Sequence, residues 1–283
     1  MFSDVLLTVD YDRTLTAPDS TIPRRNIEAI EYFMANGGSF TVNTGRSIPM
    51  CVRNVIPFVP VNAPLLLYNG SAAYDVKTGR LTRYAPIELD AEKLIRDLQS
   101  RFPQFHIEIQ ALDAHYLTRQ DTGWEQYSAH NHCAWGYVTP DAIPGPFIKA
   151  SIYGEFRENT VAGMYEATEE ELAQFRTAIE YVEATYGHAV QVLRACPRIA
   201  DIHALGVSKL RSARLLQQEL GKKILVCVGD AENDATMLDG ADYAFCPSDG
   251  IVADRYENVC ECGKGAIADV IYEKIPAIVQ TKP

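Results

Sequence analysis

The residues of this 283-residue chain best suited to chemistry are acidic and fall in two widely separated runs. The first is Asp10-Tyr11-Asp12-Arg13-Thr14-Leu15-Thr16, which directly follows Val5–Val9, a short apolar and β-branched run that reads as a buried parallel strand. Carboxylates two residues apart in an extended segment project to one side. One can then bind a metal and attack while the other gives or takes a proton. A solvated acidic turn would carry the same residue types. The second run, Gly229-Asp230-Ala231-Glu232-Asn233-Asp234, follows another buried strand, Ile224–Val228. Its glycine permits a tight turn, and Asp230 and Asp234 bracket a helix start, a pattern that N-capping alone would also produce. Ligands gather beyond the carboxyl ends of strands in open parallel sheets. Taken together, the two runs make an oxygen-ligand set suited to Mg²⁺.

Two further runs could hold an anion. Val42-Asn43-Thr44-Gly45-Arg46 ends a strand with a hydroxyl, a glycine and a guanidinium, so Thr44 and the adjacent backbone N–H groups form a candidate phosphate site. Lys209 opens a helix, where a cation opposes the dipole unless something anionic pairs with it; a solvated surface lysine is the plain alternative.

The elements that must position these residues can be read from periodicity. After the strand at 5–9, Pro23 opens a helix with Ile27, Ile30 and Met34 at helical spacing, Gly37-Gly38 ends it, and 40–42 and 65–68 read as strands. The same style returns with a helix over 209–220, the strand at 224–228, a helix over 232–239, a strand at 243–245 and a closing helix over 266–272. Between them the chain is rich in aromatics and histidines, with two helical stretches, 90–101 and 169–186, and a Pro/Gly cluster at 140–146. The expected architecture is α/β: a Rossmann-like parallel-sheet core from 1–83 and 194–283, interrupted by an inserted α+β domain over 84–193.

Bulk composition narrows the function. A net charge of −11, from 26 basic and 37 acidic side chains, argues against nucleic acid and anionic membrane as partners. No apolar stretch reaches the roughly 18 residues a membrane span needs, and 1–12 carries no basic leader, so a cytoplasmic location is expected. Seven scattered cysteines fit reduced thiols better than a disulfide framework. Composition does not fix the oligomeric state.

As an ordered set, D-x-D-x-T-L-T at 10–16, T-G-R at 44–46, Lys209 and G-D-x-x-N-D at 229–234 resemble the haloacid dehalogenase superfamily of phosphohydrolases. Asn69-Gly70 and Gly265-Ala266-Ile267 resemble its Cof-type subgroup, whose α+β cap of the C2 type (IIB) is inserted where the middle region lies here. The resemblance implies a Mg²⁺-dependent phosphatase acting on small phosphorylated metabolites such as sugar phosphates. Asp10 would be the nucleophile and Asp12 the general acid and base. Mg²⁺ would be held by Asp10, the Asp12 backbone carbonyl and Asp230, with Asp234 a further metal ligand; Asp234 and Asn233 would also orient Lys209 and the metal's surroundings. Thr44, Gly45 and Lys209 would bind the phosphoryl group, with Asn233 in support. Two rivals remain: a phosphomutase, which would need more cationic groups in the cap than Arg119, Lys149 and Arg157, and a non-catalytic binding protein, which would have lost Asp10, Asp12, Lys209 or Asp230.

Other candidates are weaker. His130-x-His132-Cys133 offers three metal-ligand types but no fourth nearby, so a polar loop is expected. Trp124, Tyr127, Trp135 and Tyr137 are expected as domain core before a sugar-binding face, and Cys227 and Cys246 as small core residues.

Overall fold

The structure, a computed structural model, describes residues 1–154, 168–196 and 198–281. Arg157 therefore lies outside the described residues. In chain order the first elements are β1 (Val5–Val9), α1 (Arg24–Ala35), β2 (Ser39–Val42), α2 (Ile48–Asn54), β3 (Leu65–Leu67), β4 (Ala72–Asp75) and β5 (Arg80–Tyr84). Next come α3 (Ala91–Arg101), β6 (His106–Ala111), β7 (His115–Leu117), α4 (Thr122–His130), β8 (Trp135–Tyr137), β9 (Phe147–Tyr153), α5 (Glu169–Tyr186), β10 (Val190–Cys196) and β11 (Ile199–Ala204). The last group is α6 (Lys209–Glu219), β12 (Ile224–Val228), α7 (Ala235–Asp239), β13 (Tyr243–Pro247), β14 (Glu257–Val259), α8 (Ala266–Asp269) and α9 (Ile275–Thr281).

The chain divides into two compact units. The first comprises Met1–Gly45, Ile56–Arg83 and Ser208–Pro283; the second comprises Arg46–Val55 and Tyr84–Val207. The division at 207/208 differs from the expected one at 193/194, which falls inside β10, and β10 pairs along its length with β11. Cutting that hairpin would strand a row of ladder hydrogen bonds, so the unit extends to its end.

In the first unit the sheet order is β14-β13-β12-β1-β2, all parallel. β1 and β12 are buried at every position, as expected of strands covered on both faces. Leu6, Leu225, Ala213, Leu216, Met237 and Leu238 share one core cluster, which packs α6 and α7 onto the sheet. A separate three-stranded sheet, β3-β4-β5, was not expected; β5 alternates exposed and half-buried positions and has little apolar content to signal a strand.

In the second unit β10-β11-β9-β6-β7-β8 form one sheet. Its residues alternate strictly. Ile107, Ile109, Ala150, Ile152 and Ile202 turn to one face, where α3 (Leu94, Ile95, Leu98) and α5 (Phe175, Ala178, Val182) cover them. The residues between them, Glu108, Gln110, Lys149, Ser151, Asp201 and His203, are polar and also buried. Both helices begin at side-chain caps, Asp90 for α3 and a Thr168/Glu171 capping box for α5.

Candidate active site

β1 delivers Asp10 to the carboxyl end of the parallel sheet, and Asp10 N–H donates to Val228 O (2.9 Å), tying it to the end of β12. Chain order reverses at this point: β2 continues on one side of β1, and β12 lies on the other. Such a switch point leaves a crevice beyond the strand ends. Register places the rest. Val9 pairs with Val42 and Val228, so Thr44 and Asp230 leave the sheet two residues further along on either side.

After Asp10 the chain does not stay extended as expected. Tyr11–Leu15 form one wide turn, with Arg13 left-handed (φ 59°) and Thr16 N–H closing onto Tyr11 O (3.0 Å). Asp12 keeps extended backbone angles inside this turn and is exposed. The turn also carries Thr14 inward, and its hydroxyl donates to Asp230 Oδ1 (2.9 Å).

Asp230 follows Gly229, where an added Cβ would lie 2.6 Å from the Asp234 side chain, so only glycine fits. Glu232–Asp234 form a short 3-10 turn leading into α7, where a single helix was expected. Asp234 is fully buried; its Oδ2 accepts from the backbone N–H groups of Asp230 (3.1 Å) and Ala231 (3.2 Å). Asn233 sits half-buried on the same turn.

Lys209 decides the reading of its own motif. It is only 1% exposed, and its Nζ donates to Asp10 Oδ1 and Asp234 Oδ1, each at 2.6 Å. A solvated surface lysine is thereby excluded, and the charge at the start of α6 has the anionic partners it requires. Asn43 Nδ2 donates to Lys209 O (2.9 Å), fixing the helix start. Gly70 (φ 97°) lies so close that a Cβ would meet Ser208 O at 2.4 Å. Thr44 is buried; its N–H donates to Leu66 O (2.9 Å) and its carbonyl accepts from Asn69 N–H (3.0 Å). Gly45 approaches Asn69, whose Oδ1 would stand 2.9 Å from a Cβ there.

The electrostatics are unbalanced. Asp10, Asp230 and Asp234 each offer a carboxylate oxygen within 4.8 Å of the others, all buried, and one lysine answers three charges. At an effective dielectric near 20, two charges roughly 4.8 Å apart repel by about 3 kcal/mol. Burial accordingly pushes the Asp10 carboxyl well above its usual range, against the pull of Lys209 and with a further push from Asp234, Asp230 and Asp12. Asp230 is pushed up to about 7, by burial first and Asp234 second, with the Thr14 hydrogen bond and Lys209 working against them. Lys209 goes upward: burial lowers it, but Asp10 and Asp234 outweigh that. A divalent cation fits this donor set, because clustered carboxylate oxygens carrying excess negative charge suit a hard ion such as Mg²⁺.

A family profile described as haloacid dehalogenase-like hydrolase matches residues 7–252, a span that includes every residue of this cluster. The chain belongs to the haloacid dehalogenase-like hydrolases. Solved structures of similar fold include three that align over nearly the whole chain. A haloacid dehalogenase-like hydrolase from Bacteroides thetaiotaomicron is 17% identical, with 95% of this chain and 98% of that one covered and a TM-score of 0.76. One from B. subtilis is 15% identical, with 95% and 99% covered and a TM-score of 0.76. A subclass IIB sugar phosphatase is 17% identical, with 96% and 99% covered and a TM-score of 0.74. The parallel-sheet α/β fold with an additional sheet region is thus shared at low identity.

Within this haloacid dehalogenase-like hydrolase, sequence reasoning missed Thr14, Asn43 and Gly70 as supports of the cluster. Thr14 lay inside a quoted motif, yet nothing local indicated a bond to a residue 216 positions away. His130 and His132 are exposed, and among the described residues the three aspartates are the sole group able to gather around a metal. Trp124 is core, whereas Trp135 and Tyr137 stand on the exposed edge strand β8. Cys227 and Cys246 are fully buried, as expected. No helix among the described residues is long and apolar enough to cross a membrane.

Proposed function

We propose that this hydrolase cleaves phosphate monoesters of small metabolites through an aspartyl-phosphate on Asp10. The observation that carries the reading is the buried Asp10–Lys209–Asp234 chain beside Asp230 at the rim of the parallel sheet. Asp10 attacks phosphorus while the ester P–O bond breaks, and Asp12 gives its proton to the departing oxygen. Asp12 then takes a proton from water, which attacks the aspartyl-phosphate, releases inorganic phosphate and restores Asp10. Thr44, with the Gly45 backbone, and Lys209 hold the non-bridging oxygens, and Asn233 supports them.

Asp10, Asp230 and the Asp12 backbone carbonyl would hold Mg²⁺. When bound, the ion neutralises charge between the carboxylates and the phosphate. Asp234, also expected as a ligand, already spends both oxygens on Lys209 and two backbone N–H groups, so its part is to hold the lysine and the Gly229–Ala231 turn.

The second unit would serve as the cap, and a sugar phosphatase among the fold neighbours supports sugar phosphates as the substrate class. Cap chemistry favours hydrolysis over a mutase. Arg119 is spent on Pro103 O and Phe105 O, and Lys149 on Asp201, so neither is poised for a second phosphate. Cys51, Cys133, Cys227, Cys246, Cys260 and Cys262 are free thiols, which supports a reducing, cytoplasmic setting.

The test is a screen of phosphorylated metabolites with Mg²⁺, run beside Asp10→Asn. The variant should lose at least ~10⁴-fold in kcat, by comparison with other nucleophile deletions. Equal phosphate release from both proteins would end the proposal.

A further inference from the structure

In the second unit three buried side chains form a relay. Glu108 Oε1 lies 2.7 Å from His115 Nδ1, and His115 Nε2 lies 2.7 Å from Ser47 Oγ. The carboxylate end is well anchored: Trp124 Nε1 donates to Glu108 Oε1 (3.1 Å) and Gln110 Nε2 to its Oε2 (2.8 Å). Burial tends to raise the Glu108 carboxyl, but the charge and hydrogen bond of His115, with Lys149 and Gln110, outweigh it and hold it at about 2. With Glu108 ionised, the Nδ1 proton faces the carboxylate, and Ser47 can give to or take from Nε2.

The order serine, imidazole, carboxylate is that of a nucleophile with its base, but Ser47 does not suit that role. It is fully buried, and its oxygen already accepts from Met50 N–H (3.3 Å) as the N-cap of α2. The relay ends on a helix, and that helix has an unusual affiliation. Arg46–Val55 belongs to the second unit, although the chain on either side belongs to the first. Its other ties agree: Asn54 Nδ2 donates to Asn131 O (2.5 Å), and Arg46 reaches Asn131 Oδ1 (3.5 Å). The division between units therefore falls on the Gly45–Arg46 peptide bond, one residue after Thr44. On the near side Thr44 and Gly45 are pinned to Leu66 and Asn69.

We propose that the Glu108–His115–Ser47 relay latches α2 to the second unit, and that His115 is thereby a positioning residue for Thr44. Thr44 lies three residues before Ser47, so loosening α2 reaches the proposed phosphoryl-oxygen donor along the backbone. The inference rests on the proposed role of Thr44.

Hydrogen exchange and kinetics on the full chain test it together. In His115→Ala the amides of Met50 and Cys51 should exchange at least ~10-fold faster, with α6 unchanged, as loss of a local restraint predicts. For p-nitrophenyl phosphate kcat/KM should fall about 10-fold, and the inhibition constant of inorganic phosphate should rise in step. Ser47→Ala, which leaves Glu108 paired, should give the same loss if His115→Ala folds poorly. The double variant should be no worse than either single one, because both break one connection. His115→Gln, which keeps polar atoms at both ends, should recover part of the loss. Unchanged exchange in α2, a uniform rise across the strands of the second unit, or additive kinetic losses would each overturn the proposal. The exchange arm needs no turnover, so failure of the relay is distinguishable from failure of the phosphatase reading, which Asp10→Asn reports.

Discussion

The two units bury charged side chains in opposite ways. The first concentrates them at one rim, where Asp10, Asp230 and Asp234 share a single lysine. The second spreads them across a whole sheet face and closes the accounts locally. Lys149 donates to Asp201 (3.1 Å), Ser151 gives Asp201 a second bond (2.6 Å), and Glu108 is answered by His115, Trp124 and Gln110. The acidities record the contrast. Glu108, satisfied, is held at about 2, while Asp230, crowded, is pushed up to about 7. His203, between Asp201 and Lys149 in influence, is lowered to about 3, chiefly by burial, and stays neutral. A buried charge set that is balanced reads as structure; one left unbalanced reads as a place awaiting a counter-ion and an anionic substrate.

The strongest way to break this comparison is to delete the shared cation. Lys209→Ala should lower kcat/KM by roughly 10³-fold, as for loss of a phosphoryl-oxygen donor. It should also destabilise the fold by about 3–5 kcal/mol, since two buried carboxylates lose their partner. Steady-state kinetics and urea unfolding read both; normal turnover would show the rim to be merely structural. The matching change in the second unit is Asp201→Asn. It should cost about 3 kcal/mol in urea unfolding, by removing the carboxylate charge that Lys149 donates to, yet leave kcat within ~3-fold of wild type. A hundredfold loss of kcat there would erase the distinction between the units.

Thr14→Val sharpens the contrast from the side of the metal. Losing the hydroxyl that orients Asp230 should weaken Mg²⁺ activation about 10-fold, the usual scale for removing a bond behind a ligand. Titration of activity against Mg²⁺ measures it. The smallest effect concerns pH. The Asp230 carboxyl at about 7 stands above its unfolded value of roughly 4. Between those values the folded metal-free protein binds more protons than the unfolded chain. The stabilising contribution is therefore full below pH ~4 and is lost as pH rises through about 7. Thermal unfolding in EDTA should shift down by a few degrees between pH 5.5 and 7.5, and millimolar Mg²⁺ should abolish or reverse that shift, because the ion binds the ionised carboxylates. A metal-independent, flat profile would contradict the assigned imbalance.

Much of the architecture was legible because central parallel strands carry unbroken apolar runs, as Val5–Val9 and Ile224–Val228 do, and because α5 begins at its capping box. The β3-β4-β5 sheet was not, since Arg80–Tyr84 is polar and exposed on alternate residues. The hairpin that moves the division to 207/208 alternates polar and apolar residues and carries no boundary signal of its own. Asp10, Asp230 and Lys209 could be gathered on paper because strand ends converge in this topology. The bonds from Thr14 to Asp230 and from Asn43 to Lys209 span 216 and 166 residues, and separations of that size leave no local trace. The place of α2 in the second unit was invisible for the same reason: a single histidine on β7 gives no hint that it meets Ser47.

The separation of 199 positions between Asp10 and Lys209 also carries a consequence for biosynthesis. Asp10 leaves the ribosome well before the lysine that pairs with it and before β12, the strand that flanks β1. At roughly 5–20 residues per second, β1 waits on the order of ten seconds or more for β12. Until then β1 has one edge open and Asp10 lacks its lysine, so a growing chain is exposed to misassociation at that edge.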